Sequence, residues 1–396
     1  GGVEGPRDRR RVALDLAAFD RVAEIDETSL LARIQGGALG PSLESQLAER
    51  GLTLRFYPQS FEFSTLGGWI ATRAGGHFAT LQTHIDDLTA SVRAVTPRGV
   101  WQSRPLPGSG AGPSPDRALL GSEGTLGIVT EAWMRVRRRP VFRAHASVHF
   151  ADFDDAVAAA RTLAQSGLHP TNCRLLDKRE AAMNFVTQDG SHVLIVGFEG
   201  ADHSLEHPMT RALEIAADHH GRCPLGPQFR SEDREATRGA AGQWKNAFVE
   251  APYLMNTLVS LGVLVDTFET ACTWSNFPAM HEDIVRSVRG ALKEHCGRGR
   301  VSCRFTHVYP DGPAPYYTFL GPARPGAELE QWMAVKTAAS DALMRHGGTI
   351  THHHAVGRTH RPWYDQQRPA PFAEALRASK RVLDPAGILN PGVLLD

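Results

Sequence analysis

The sequence predicts an α+β protein built from two unlike parts and a short C-terminal segment. Three observations carry this reading. Residues 1–140 alternate short apolar runs with helix-period segments and hold two glycine-rich stretches. Near Pro140 the texture changes to strands paired with amphipathic helices, a pattern that runs over 141–365. That order favours an antiparallel sheet with helices on one side. The last segment, 366–396, carries one short helix.

Taken in order, Arg11–Leu16 and Leu31–Gln35 read as strands. Ser42–Arg50 reads as a helix with Ser42 as its N-cap. Leu66–Ala74 opens a helix whose N-terminal amides suit an anion. Val92–Thr96, followed by Pro97-Arg98-Gly99, reads as a strand and turn, and Ile128–Val136 as another strand. In the second part Ala144–Phe150, Val193–Phe198, Val301–Tyr309, Tyr316–Leu320 and Thr349–Thr351 read as strands. Phe153–Gln165 is an amphipathic helix with Phe153, Val157, Ala160 and Leu163 on one face. Leu205–His219, Leu329–His346 and Pro371–Val382 are further helices.

Composition removes several function classes. Lys+Arg and Asp+Glu are each 43 in 396 residues, so no basic excess points to nucleic acid. The cluster Arg135, Arg137, Arg138 and Arg139 is short and reads as a solvated strand end. The five cysteines show no CxxC spacing, which argues against a disulfide framework or zinc ribbon and fits a reducing cytoplasm. The sequence has no apolar run of eighteen residues.

The most informative stretches run from Pro58 to Gly76 and from Gly121 to Gly127. Both are rich in glycine and small hydroxyl residues. Glycine lets the backbone approach a ligand, and consecutive amides can face phosphate. Neither stretch has P-loop or Rossmann spacing. The pair suits a long, polyphosphate-bearing cofactor, and tight turns in a large enzyme are the bland alternative.

The wording of these stretches resembles the FAD-binding domain of the vanillyl-alcohol-oxidase/p-cresol-methylhydroxylase flavoprotein superfamily. Phe268-Glu-Thr-Ala-Cys-Thr-Trp274, Thr351-His-His-His-Ala-Val-Gly357 and Leu383–Gly392 are similar to the alkyldihydroxyacetonephosphate synthase family within it. The resemblance spans the whole chain. It implies an FAD domain over 1–140, an α+β cap with an antiparallel sheet over 141–365, and a C-terminal piece, 366–396, that returns to the FAD domain. It implies non-covalent FAD held by Gly1, Gly2, Gln59, Ser60, Ser64, Thr65, Gly67, Gly68, Thr72, Arg73, Ala74, Gly75, Gly121, Ser122, Glu123, Gly124, Thr125, Gly127 and Ile128. Gly1-Gly2 matches the tail of a family glycine loop, so the FAD domain is expected to be truncated at its N-terminus.

The histidines His352, His353 and His354 lie where a strand or strand end is predicted, so His352 and His354 would face one way and His353 the other. That alternation argues against one metal held by all three. The residues alone leave open a polar structural cluster, a two-histidine metal site completed by His307 or Asp365, and a proton-handling group. No metal site is assigned. The resemblance implies active-site histidines beside flavin and substrate, with His353 and His354 the main pair. Arg304 to Phe319 reads as a hairpin turning at Pro310-Asp311-Gly312-Pro313. The family's catalytic tyrosine aligns on Tyr316, with Tyr317 as the fallback in register, and Tyr309 is expected to share its pocket. A phenol needs a neighbouring cation to act as a base near neutral pH, a role expected of the histidines.

Two departures stand out. Met255 occupies the place of the arginine that binds substrate phosphate in the family. Arg174, Lys245 and Arg358 are candidate replacements, with Arg174 also open to reading as a surface strand charge. Gln82-Thr83 replaces the family's Tyr-Gly before His84-Ile-Asp-Asp-Leu88. The resemblance therefore implies either an alkyl transferase acting on acyl-dihydroxyacetone phosphate in ether-lipid synthesis or an FAD-dependent oxidoreductase acting on a 2-hydroxy acid or another alcohol. A non-catalytic flavin-binding paralogue is the third reading. The expected setting is bacterial cytoplasm, with a small-molecule or lipid substrate, room for peripheral membrane contact, and a homodimer left open.

Overall fold

The structure, a computed structural model, describes residues 12–231 and 254–395. The described chain divides into two compact units. One holds the residues through His77 with Gln82–Arg139 and His353 onward, and the other holds Phe78–Leu81 and Pro140–His352. The chain thus changes unit between 139 and 140 and between 352 and 353, where sequence reading set 140/141 and 365/366.

The first unit is built on a five-stranded antiparallel sheet. Its strands are β1 (Val22–Asp26), β2 (Leu31–Gln35), β4 (Thr89–Thr96), β5 (Gly99–Gln102) and β6 (Ile128–Arg135), in the order β1-β2-β6-β4-β5. A short pair, β3 (Leu52–Thr53) with β7 (Arg137–Arg138), stands beside it. Alternation along β2 sends Ala32 and Ile34 into the core, where Leu43 and Leu47 of α1 (Gly40–Ala48) meet them. The helix α1 starts two residues before the expected Ser42. Pro41 fits its first turn, where a missing amide costs nothing, and Leu39 is the N-cap. The expected strand over 11–16 does not form in its described part. Val12 and Leu14 are exposed, with no partner strand among the described residues. Helices α2 (Leu66–Thr72), α3 (Ile85–Leu88) and α4 (Pro115–Leu119) carry the loops of the candidate site.

The second unit is a seven-stranded antiparallel sheet in the order β11-β8-β10-β9-β13-β14-β12. Its strands are β8 (Phe142–Phe150), β9 (Asn172–Leu176), β10 (His192–Gly200), β11 (Gln228–Arg230), β12 (Val263–Glu269), β13 (Arg300–Val308) and β14 (Pro313–Pro322). One face is apolar. Val148, Phe150, Leu194, Val196, Phe268, Cys303, Phe305, Tyr317 and Phe319 alternate inward there. Four helices supply the other half of this core: α5 (Phe153–Gln165), α7 (Glu206–Asp218), α8 (Phe277–Cys296) and α9 (Glu328–Arg345). Each fully buried large apolar side chain contributes about 1.5–3 kcal/mol. The opposite face carries Arg174, Ser302, Arg304, Thr306 and Tyr316, with α6 (Lys178–Met183) placing Glu180 among them.

The first unit closes with α10 (Arg361–Gln367) and α11 (Ala370–Leu383), and Val393, Leu394 and Leu395 are buried beside Val356, Tyr364 and Leu376. Among the described residues, no helix is long and apolar enough to cross a membrane.

The core of the second unit contains a histidine. His281 Nδ1 lies 3.0 Å from Tyr317 Oη, and its ring packs between Phe153 and Phe277 at 5.4 and 5.2 Å. Burial, with Arg289 adding like charge, holds its pKa down at about 4. The folded state therefore favours neutral His281, so its stabilisation is complete above the ordinary histidine pKa and is lost as pH falls toward 4. Urea unfolding of wild type and His281→Gln between pH 7.5 and 4.5 tests this. The stability difference between them should narrow by about 2–3 kcal/mol on acidification.

Candidate active site

In the first unit the two glycine-rich stretches form one local structure. Thr65 caps α2, its Oγ1 accepting from Gly68 N–H at 3.3 Å. Gly67 N–H donates to Gly36 O at 2.8 Å, and a Cβ at Gly67 would lie 2.8 Å from that oxygen, so only glycine seats the helix against the end of β2. The second stretch returns to the other end of α2. Gly121 and Glu123 donate backbone N–H groups to Ile70 O and Ala71 O at 3.1 and 2.8 Å. Gly121 has φ +77, and a Cβ there would meet Arg73 Cδ at 2.6 Å. Gly127 and Ile128 then lead into β6.

Several of the expected cofactor residues spend their side chains on this scaffold. Ser64 Oγ accepts from Trp69 Nε1 at 2.6 Å and from Ser60 Oγ at 2.9 Å. Thr72 Oγ1 donates to Gly68 O, and Thr125 Oγ1 to Ser122 O. Arg73, itself left-handed at φ +53, binds Asp86 through Nε and Nη2 at 2.9 and 2.7 Å. Asp86 also takes Arg117 at 2.6 Å. Ala74 O accepts from Ile85 N–H, and Gly75 bridges to His84. Gln59 lies in the loop before Ser60, and Gly124 has φ +75.

Two groups on this scaffold lack a partner among the described residues. Ser122 Oγ and Asp86 Oδ1 are buried with no hydrogen-bond partner among the described residues. A buried hydroxyl without a partner costs about 1–3 kcal/mol. A ligand rich in hydroxyl and phosphate oxygens would satisfy the serine, so the residues fit the expected cofactor. Gln82, at the second departure, likewise has Oε1 buried and unpartnered. Gly1 and Gly2 lie outside the described residues.

In the second unit, register places Arg304 opposite Tyr316 and Cys303 opposite Tyr317. Tyr316 is 4% exposed. Its Oη donates to Thr267 Oγ1 at 2.9 Å, and the Arg304 guanidinium lies 3.9 Å from its ring centre. Burial pushes the phenol pKa up, while Arg304 and Thr267 pull it back. The phenol is therefore protonated at neutral pH. Arg304, rather than the histidines, is the cation on its ring. Glu180 pairs with Arg304 and accepts from Ser302 Oγ at 2.5 Å. Tyr317, the fallback, faces the helices instead, stacked on Phe268 at 4.9 Å.

Arg174 is not a surface charge. It is 1% exposed on β9, its Nη2 3.5 Å from Thr306 O, and burial with Arg304 nearby lowers its pKa to about 9. Met255 is half-buried in a helical stretch at 254–260. Lys245 lies outside the described residues, and Arg358 Nη2 donates to Pro391 O at 2.9 Å.

The histidine segment is not a strand. Residues 349–355 bend, and they are not part of any sheet among the described residues. Two carboxylates hold it instead. In the second unit Glu269, 2% exposed, accepts from Thr351 Oγ1 at 2.6 Å and His352 N–H at 2.7 Å. His352 Nε2 lies 2.7 Å from Tyr309 Oη, and its ring is 4.9 Å from that of His307. In the first unit the rings of His353 and His354 meet edge to face at 4.8 Å, which strand alternation would have prevented. Glu123 then accepts from Val356 and Gly357 N–H at 2.8 and 2.9 Å. Asp365 is committed to Arg361 and Arg368.

Sequence reasoning missed Asp86 in the first unit and Glu269, Arg304, Thr267 and Glu180 in the second. Glu269 stood inside the marked Phe268-Glu-Thr word, and Arg304 at the start of the marked hairpin. Nothing local distinguishes Glu180 or Asp86 from a surface carboxylate.

The chain is similar to known proteins along its length. Residues 139–394 match the family described as FAD linked oxidases, C-terminal domain, and residues 2–103 match the FAD binding domain family. Alkyldihydroxyacetonephosphate synthase of Caenorhabditis elegans is 31% identical, over 100% of this chain and 70% of that protein. The Dictyostelium discoideum enzyme of that name is 29% identical, over 100% of this chain and 67% of its own length. The glycolate oxidase subunit GlcD of Bacillus subtilis is 25% identical, over 94% of this chain and 77% of its own. A solved alkyldihydroxyacetonephosphate synthase aligns with TM-score 0.78 at 26% identity, covering 98% of this chain and 68% of that one. p-Cresol methylhydroxylase aligns at 16% identity with TM-score 0.71, over 95% of this chain and 78% of that one, a likeness of fold.

Ser122→Ala separates cofactor binding from folding. The substitution removes an unsatisfied hydroxyl, so the FAD-free protein should keep or gain up to about 1 kcal/mol in urea unfolding. FAD affinity by fluorescence titration should fall about tenfold.

Proposed function

We propose that this chain, which belongs to the FAD-linked oxidase family and to its alkyldihydroxyacetonephosphate synthase-like members, is an alkyl transferase of ether-lipid synthesis. It is an FAD-dependent enzyme with a vanillyl-alcohol-oxidase type fold. In the proposed reaction, acyl-dihydroxyacetone phosphate loses its acyl group and gains a fatty alcohol. The bond from the methylene carbon to the acyl oxygen breaks, and a bond from that carbon to the alcohol oxygen forms. The alcohol gives up its proton, and a fatty acid departs with no net redox change.

The observation that carries this reading is Tyr316, a buried phenol stacked under Arg304 on the polar face of the sheet. FAD, when bound, supplies the redox-active ring, and the protein supplies position and protons. Tyr316 begins protonated, so its first act is to donate a hydrogen bond or proton to substrate oxygen, with Arg304 easing the charge left on the phenol. His352, His353 and His354 orient the substrate and take up charge. Tyr309 steadies His352 through its Nε2. Arg174 meets the substrate phosphate in place of the arginine that Met255 displaces, and its depressed pKa would recover beside a dianion. FAD is held without a covalent bond by the Gly67–Gly75 and Gly121–Gly127 segments. A long-chain substrate would be drawn from a membrane surface in the bacterial cytoplasm.

Met255 favours a second reading, because methionine offers phosphate no charged donor. In it the chain oxidises a 2-hydroxy acid or another alcohol, as the name of the GlcD relative suggests. Protein loaded with FAD, given palmitoyl-dihydroxyacetone phosphate and radiolabelled hexadecanol, decides between them. Labelled ether lipid is the expected product. No ether, together with bleaching of the flavin spectrum by a 2-hydroxy acid, would replace the transferase with the oxidoreductase.

A further inference from the structure

Glu123 has its main chain in one segment and its side chain in another. Its N–H donates to Ala71 O at 2.8 Å, and its carbonyl accepts from Asn390 Nδ2 at 2.6 Å, which fixes it within the Gly121–Gly127 loop. Its carboxylate reaches the segment that follows the histidines. Oε1 takes Val356 N–H and Oε2 takes Gly357 N–H. Charge-assisted bonds to two successive amides set orientation as well as position.

Glu123 itself and Ala355, the residue just before the two amides, lie in left-handed backbone. Glu123 has φ +50 and Ala355 has φ +63. A residue with a side chain pays about 1–2 kcal/mol to sit there. Such conformations persist where the surroundings over-determine them. Ala355 joins His354 to Val356, so its conformation sets the direction in which the histidines leave the chain. His360 adds two contacts at this turn: Nδ1 lies 2.9 Å from Ala355 O, and its N–H donates to Val356 O at 3.1 Å. Burial pushes the Glu123 carboxyl up, and the two amides hold it back.

We propose that Glu123 is a positioning residue that ties the glycine loop to the His353–His354 turn, so that cofactor occupancy and histidine orientation are coupled. The role assigned to these histidines rests on the proposed function. The coupling does not, because it is read from the backbone of the first unit.

Hydrogen exchange on the full chain tests it. In FAD-loaded Glu123→Gln the peptide spanning 351–358 should exchange about tenfold faster than in wild type, with peptides of β8 and β10 unchanged. Glu123→Gln should lower kcat about tenfold, and adding Ala355→Gly, which removes the left-handed strain, should recover about fivefold of it with KM little changed. The unmutated protein gives an independent reading. Removing FAD should loosen 121–127 and 351–358 together. Unchanged exchange at 351–358 in Glu123→Gln overturns the proposal. If that variant does not fold, loosening of 121–127 without 351–358 in FAD-free wild type overturns it. A failed transferase would show instead as missing ether product from loaded wild type, with these exchange rates unaffected.

Discussion

The two-residue period of β13 and β14 decides which side chains of the sheet unit meet on its polar face. Register sets Arg304 against Tyr316 and Cys303 against Tyr317, so consecutive tyrosines face opposite ways. Tyr317 and Phe305 complete the helix-covered core, and Tyr316 and Arg304 meet on the polar face. A slip of one residue would exchange the two sets. The apolar core pins this register, because burying Arg304 among Phe268, Phe277 and Phe319 would cost far more than any local contact returns.

The polar face is held together by buried carboxylates. Glu180 holds Arg304, so the cation over Tyr316 has a fixed counter-charge rather than a solvated one. Glu269 holds Thr351 and the His352 backbone beside the same strands. Removing one member of a buried pair costs about 3–5 kcal/mol, because the other is left uncompensated. The histidine segment has no sheet or helix of its own, and carboxylates replace the ladder bonds that a strand would have provided. In the first unit the same device recurs at Glu123.

Much of this was legible in the sequence. Phe153–Gln165 announced itself through its period and appears with those bounds. The glycine words were legible because only glycine tolerates the approach of Gly67 to Gly36 and the left-handed turn at Gly121. Position within the site was harder to read. Arg174 looks like any charged strand residue until its neighbours bury it. The histidines read as a strand because their flanking residues are β-branched, yet the segment bends and the Glu269 side chain takes the His352 N–H.

The central claim is that the buried Tyr316 phenol under Arg304 handles the substrate proton. The most direct measurement is the rate of ether formation by Tyr316→Phe, with the FAD spectrum and urea midpoint recorded on the same protein. Loss of a positioned acid–base group lowers the rate about 10²–10⁴-fold, and FAD content should stay at the wild-type level. A variant that kept its FAD and turned over within about threefold of wild type, far inside that range, would contradict the account.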